Sequence, residues 1–255
     1  MKNDTFNLAG KVALITGSGT GIGKAIAIKL AEHGAYIGVH YHSSEKEALQ
    51  TLETIKKMGV KTILLQADLT DEQQANNTVD KVVSKFGKLD ILVNNAGTPV
   101  KRSKIEQCPL ELWNQVFSVN MTSAFMVTKR AIPHLRKTGK GSIVNIISLS
   151  VQTGGANGAG PYAASKGALL VFTRTLAREL APEIRTNAVC PGVIETQHHE
   201  IFSTPERMEQ YRAETPMKRN GSPEEVANAV LYLVSDAASF TNGALLDVNG
   251  GRFLR

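Results

Sequence analysis

The sequence predicts an α/β fold: a single doubly wound parallel sheet of about seven strands, with helices on both faces. Two observations carry this. Short apolar runs alternate with helical patterns along the whole chain, and the chemistry-bearing motifs fall at the ends of those runs, where such a sheet binds ligands. No proline- or glycine-rich linker, low-complexity tract or fixed-period repeat divides the 255 residues. The expectation is therefore one domain over 1–255, with 1–9 as a lead-in and 197–220 as a substrate-covering segment.

The first run, Lys11 to Thr16, is apolar enough for a strand buried on both faces. It leads into Gly17-Ser18-Gly19-Thr20-Gly21-Ile22-Gly23, and then into a helical stretch with Ile22, Ala25, Ile26, Leu30 and Ala31 on one side. Strand, glycine-rich turn and helix form the context of a dinucleotide fingerprint, although the first gap is longer than in Gly-x-Gly-x-x-Gly. The helix N-terminus would present N–H groups and a positive dipole end to a pyrophosphate. Further strands are expected at 36–41, 61–66, 90–94, 142–147, 185–190 and 245–248. Helices are expected at 21–33, 44–58, 72–86, 110–136, 162–180, 205–212 and 223–235.

Tyr162 and Lys166 stand at i and i+4, on one helix face, and Ser148 and Asn120 precede them. A neighbouring ammonium favours the phenolate, so the tyrosine could exchange a proton with a reacting oxygen; a serine hydroxyl could hold that oxygen. The pattern describes an acid/base site for a carbonyl/alcohol pair.

The order Thr16-Gly17-x-x-x-Gly21-x-Gly23, Asn94-Asn95-Ala96-Gly97, Asn120, Ser148, Tyr162-x-x-x-Lys166 and Pro191-Gly192 resembles the short-chain dehydrogenases/reductases, from about Leu8 to the C-terminus. The pattern is most similar to that of the 3-oxoacyl-[acyl-carrier-protein] reductases, with sugar dehydrogenases and ketone reductases close by. The resemblance implies a Rossmann-type fold with Tyr162 as proton donor or acceptor. Lys166 would lower the tyrosine pKa and bond the nicotinamide ribose. Ser148 would hold the substrate oxygen, although Ser150 is near enough to be considered. Asn120 would keep a local helix distortion and a proton-relay water. Cofactor contacts are implied for the glycine turn from Gly17 to Gly23, for Asp68 and Leu69 after the third strand, and for Asn94, Ala96 and Gly97. They are also implied for Tyr162, Lys166, Pro191, Gly192, Val193, Ile194 and Thr196. The alternative for Asp68 is a helix cap.

The second strand ends Val39-His40-Tyr41-His42-Ser43-Ser44, with no carboxylate before Glu45. A carboxylate there would repel a 2′-phosphate, whereas hydroxyls and imidazoles can hydrogen-bond it. NADP(H) is therefore favoured over NAD(H), with contacts at Tyr41, His42 and Ser43. Thr20 tempers this, since many NADP-preferring relatives carry Arg or Lys at that place. The expected activity is reduction of a ketone or 3-oxoacyl group. Oxidation of a sugar or polyol is the alternative, and a non-catalytic NADP(H) sensor is the remote one.

The 29 basic and 23 acidic residues give a formal charge of +6, but the basic residues are scattered. A nucleic-acid surface would need them concentrated, so none is expected. No apolar run approaches ~18 residues and no signal-peptide pattern opens the chain, so a cytoplasmic protein without a membrane partner is expected. Cys108 and Cys190 suggest neither disulfide nor metal, and His198-His199 alone makes no metal site. The resemblance implies a homotetramer packed across helices 110–136 and 162–180, with the C-terminal tail as a further contact.

Overall fold

The computed structural model describes residues 4–155, 157–196 and 203–254. Seven strands form one parallel sheet: β1 (Val12–Ile15), β2 (Tyr36–Tyr41), β3 (Thr62–Gln66), β4 (Ile91–Asn94), β5 (Gly141–Ile146), β6 (Ile184–Pro191) and β7 (Leu245–Val248). Their order across the sheet is β3-β2-β1-β4-β5-β6-β7, the doubly wound arrangement with its switch point between β1 and β4. Each expected strand is present within a residue or so of its predicted ends.

Strand alternation divides the core between the two faces. Ala13, Ile15, Ile37, Val39, Ile91 and Val93 pack on one side with helices α1 (Gly21–Glu32) and α9 (Pro223–Val234). Val12, Leu14, Leu92 and Ile143 pack on the other, against α3 (Glu72–Phe86), α5 (Ser123–Lys137) and α7 (Gly160–Glu179). Strands buried on both faces explain why these runs are continuously apolar. Each fully buried Leu or Ile contributes roughly 1.5–3 kcal/mol relative to exposure.

The expected helix 110–136 is interrupted. It consists of α4 (Leu110–Phe117), a π-helical turn (Ser118–Thr122) and α5. The side-chain amide of Asn120 donates to the Val116 carbonyl at 2.8 Å, taking the acceptor that an α-helical backbone N–H would use. The distortion expected at Asn120 is thus present, and the Asn120 side chain takes up a carbonyl that it frees. Two further helices border the sheet's carboxyl ends: α6 (Ser150–Thr153), which the sequence pattern did not reveal, and α8 (Pro205–Glu214). Asp71, with its side chain accepting from Gln74 N, caps α3. α2 (Glu45–Lys57) follows β2.

Candidate active site

The glycine turn after β1 is built from both sides. Gly17 has φ +63° and its N–H donates to His40 Nδ1 at 2.9 Å. The other ring nitrogen, Nε2, lies 3.2 Å from the Ala67 carbonyl, so it carries the proton of a neutral imidazole. Burial pushes the His40 pKa down to about 4, in keeping with that tautomer. Asn95 Nδ2 donates to the carbonyls of Thr16 and Gly17 at 3.0 and 2.9 Å. Thr16 Oγ1 in turn accepts from the N–H groups of Asn95 and Ala96. A Cβ at Gly23 would lie 2.1 Å from the Gly17 carbonyl oxygen, so helix and strand can approach this closely only through glycine.

No side chain caps the first turn of α1 and no acidic residue stands in it. Its peptide N–H groups and positive dipole end therefore suit an anion, as the pyrophosphate of a dinucleotide requires. The residues present fit such a cofactor.

Tyr162 lies in the first turn of α7 and Lys166 one turn on. Lys166 Nζ donates to the Ile146 carbonyl at 2.9 Å and sits 5.8 Å from the centre of the Tyr162 ring. Burial lowers the Lys166 pKa to about 8. Burial also raises the Tyr162 phenol to about 12; its hydrogen bond with Ser148 opposes that rise, and Cys190 adds to it. Lys166 Nζ is turned toward the β5 backbone here, and desolvation dominates the shift of the phenol. The phenol holds its proton at neutral pH. Ser148 is the hydroxyl that meets it, while Ser150 donates its backbone N–H to Ser148 Oγ at 3.2 Å.

Asn120 Oδ1 accepts from Thr98 N–H at 3.0 Å, and its Nδ2 also donates to the Thr98 carbonyl at 2.8 Å. A Cβ built at Gly97 would lie 2.5 Å from Asn120 Oδ1 and 2.9 Å from Lys166 Nζ. The bare backbone of Gly97 lets these two groups converge.

One cleft of about 720 Å³ runs along the carboxyl ends of the strands. It brings together Gly17, Thr20, Gly21, Ile22 and Gly23 with Tyr41, His42 and Ser43, with Ala96 and Gly97, and with Ser148, Tyr162 and Lys166. Pro191, Gly192, Val193, Ile194 and Thr196 close it from β6.

Other expected residues make contacts of their own outside the cleft lining. Ser18 Oγ donates to the Ile15 carbonyl and accepts from His40 N–H, so it braces the turn from inside. Gly19 leaves room for Ser44, whose Oγ would be 2.8 Å from an added Cβ. Asn94 is buried, with Nδ2 donating to Thr128 Oγ1 and Asn145 Oδ1. Asp68 accepts from the N–H and hydroxyl of Thr70, which lowers its pKa. Leu69 packs in the core. Asn120 acts from beneath, through Thr98. Tyr41, although it reaches the cleft, is 4% exposed and gives its hydroxyl to Glu45 at 3.3 Å.

Arg102, Arg207, Tyr211, Glu214 and Arg252 also line the cleft; sequence reasoning singled out none of them, although Arg207, Tyr211 and Glu214 fall within the segment 197–220 expected to cover the substrate. No local signal marks them, because they come from three distant segments. His198-His199 lies outside the described residues. Among the described residues, no group of three or more His, Cys, Asp or Glu could hold a metal, and no helix is long and apolar enough to cross a membrane.

A family model described as enoyl-(acyl carrier protein) reductase matches residues 17–252. The chain is 40% identical over 249 residues to the 3-oxoacyl-[acyl-carrier-protein] reductase FabG of Aquifex aeolicus (strain VF5), covering 97% of this chain and 99% of that protein. A 7α-hydroxysteroid dehydrogenase complexed with NADH and 7-oxo glycochenodeoxycholic acid superposes with TM-score 0.93 at 35% identity, covering 98% of this chain and 97% of that one. A short-chain dehydrogenase from Burkholderia cenocepacia J2315 in complex with NADP gives TM-score 0.89 at 33% identity, over 96% of this chain and 99% of that one. The sheet order, the glycine turn and these likenesses agree: the chain belongs to the short-chain dehydrogenase/reductase family, as an oxidoreductase of CH–OH and C=O groups that uses a nicotinamide dinucleotide.

Proposed function

We propose that this protein is an NADP(H)-dependent reductase that converts a ketone or 3-oxoacyl substrate to the secondary alcohol, with Tyr162 as proton donor. The observation that carries this reading is the meeting of the Tyr162 phenol with Ser148 in the cleft, one helical turn before Lys166. Burial raises the phenol's pKa, so it stands as a neutral O–H, suited to give a proton to an oxygen that gains alkoxide character.

When bound, the nicotinamide supplies the hydride. The chain's own residues do the rest. The uncapped N-terminus of α1 and the Gly17 turn hold the pyrophosphate. Ser148 and Tyr162 hydroxyls hold the substrate oxygen, and Tyr162 delivers its proton there. Lys166, still mostly protonated at neutral pH, stands behind the phenol to bond ribose hydroxyls and steady the charge left on Tyr162. Asn120 positions the Thr98 peptide and the space under Gly97.

Support for NADP(H) comes from the end of β2. His42 and Ser43 are exposed there and line the cleft, while Glu45, the first carboxylate after the strand in sequence, accepts the Tyr41 hydroxyl. Hydroxyl and imidazole donors suit a 2′-phosphate, and the relative from Burkholderia cenocepacia is itself an NADP complex. The reading extends to a cytoplasmic homotetramer, since Leu110, Phe125 and Val171 leave 67, 42 and 60% of their surface exposed on the helices that would pack together. Analytical ultracentrifugation tests the assembly.

The test of function is steady-state oxidation of NADPH and of NADH with β-ketoacyl thioesters, diketones and keto-sugars. Turnover of a ketone or ketoacyl thioester with NADPH favoured supports the proposal. Faster turnover with NADH would overturn the cofactor reading of His42 and Ser43.

A further inference from the structure

The far end of the cleft carries a concentration of positive charge that neither hydride transfer nor the pyrophosphate requires. The described charged residues that line the cleft, histidines aside, are Arg102, Lys166, Arg207 and Arg252 against one carboxylate, Glu214. Lys166 is engaged at the reaction centre; the three arginines are not.

Their placement separates them from the adenosine half. His42 and Ser43 follow β2, while Arg102 follows β4, Arg207 lies between β6 and β7, and Arg252 follows β7. In the sheet order β3-β2-β1-β4-β5-β6-β7 the arginines come from the side of β1 away from β2. Arg102 sits where the chain packs on the glycine loop before Tyr162, with Ser103 N–H donating to the Gly158 carbonyl at 2.9 Å. Arg207 and Arg252 both rest against the Tyr211 ring, with guanidinium carbons 4.8 and 4.7 Å from its centre. Arg252 also donates to the Tyr211 carbonyl at 2.9 Å and pairs with Glu214. Arg207 donates to Gln210 at 2.9 Å, and its Nε, shielded from solvent, has no hydrogen-bond partner.

Glu214 pairs with Arg252 and also acts on Arg207, which Tyr211 holds as well, so three arginines against one carboxylate leave this end of the cleft with net positive charge. An anionic group on the substrate would meet that charge, and guanidinium forks match a planar carboxylate in two-point geometry. We infer that the substrate is a keto acid (or its hydroxy acid), whose carboxylate, remote from the reacting carbon, is bound by Arg207 and Arg252 with Arg102 at the rim. The inference rests on the oxidoreductase reading and specifies the substrate class of the same cleft.

The test compares medium-length keto acids with their methyl esters, using NADPH and the full-length protein. The expected result is a preference for the acid of about 10- to 100-fold in kcat/KM, the size of a charge-assisted hydrogen-bond pair. Arg207→Gln and Arg252→Gln should each pull the acid-to-ester ratio toward one by raising KM for the acid, and Arg207→Lys should keep part of the preference. A merely structural role would lower both substrates together and leave the ratio unchanged, overturning the inference. A rise in KM for NADPH matching that for the acid would also overturn it, assigning the arginines to the cofactor. So would a ketone bearing a phosphate ester that is preferred over the carboxylate. Titration of acid and ester into the NADP complex of Tyr162→Phe separates this inference from the parent reading. Tighter binding of the acid with no turnover by wild type would leave the carboxylate site standing and refute the reductase. Equal binding of acid and ester would overturn the site whatever the turnover.

Discussion

Acidification should weaken this fold through one imidazole. His40 is 2% exposed, accepts from Gly17 N–H at Nδ1 and faces the Ala67 carbonyl at Nε2. Protonation would put a donor on Nδ1 against the Gly17 N–H, so the folded state resists it, and its pKa falls from 6.5 to about 4. In the unfolded chain the same group takes a proton near 6.5. The unfolded state therefore binds more protons between pH 6.5 and about 4, and stability falls across that window as pH is lowered. The full difference is worth roughly 3 kcal/mol at the acid end, with no further loss from this group below about pH 4.

The perturbation is His40→Asn, whose side-chain oxygen can still accept from Gly17 but cannot titrate. Urea unfolding of the cofactor-free protein, followed by circular dichroism at pH 7, 6, 5 and 4, reads the effect. Wild type should lose about 3 kcal/mol more than His40→Asn over that range, although the variant starts lower at pH 7 because the ring's volume is lost. Parallel slopes in the two proteins would refute the reasoning.

Gly97→Ala would push a methyl group to 2.5 Å from Asn120 Oδ1 and 2.9 Å from Lys166 Nζ. Overpacking of this kind costs about 1–3 kcal/mol, so reduced thermal stability and a lower kcat are expected together, read by calorimetry and steady-state kinetics. The rate of ketone reduction should fall as pH rises through about 8, where Lys166 loses its proton, while Tyr162 keeps its own to about 12. A pH profile of kcat/KM with a basic limb near 8 agrees; a profile flat to pH 10 does not.

The strands were legible because each is a short apolar run closed by small or polar residues, and their alternation with helices marked a doubly wound parallel sheet, whose strand order only the structure shows. Tyr162, Lys166, Ser148 and the glycine turn were legible as local patterns. Strand-end polar residues were harder. Asn94 and Ser18 have the composition of ligand contacts and turn their side chains to buried partners, whereas Asp68, half-exposed, accepts from Thr70; the sequence does not say which way a short polar side chain faces. His40 belongs with them: it stands among groups suited to a phosphate, but strand geometry buries it under the turn. The π-helical turn at Asn120 was not legible in the periodicity of 110–136, because the segments on either side of it are only about two to four turns long. Arg102, Arg207 and Arg252 were invisible for a different reason. More than 100 residues separate Arg102 from Arg207 in the chain, and only the parallel topology brings them to one cleft.

The central claim is that Tyr162 gives the proton while the rest of the cleft holds the cofactor. Its most direct measurement is Tyr162→Phe, comparing NADPH affinity by fluorescence titration with turnover of the best ketone. The claim predicts NADPH affinity within a few-fold of wild type and a loss of kcat of at least about 10²- to 10⁴-fold, the range ascribed to a general acid. Turnover that survives the loss of the phenol oxygen would contradict it.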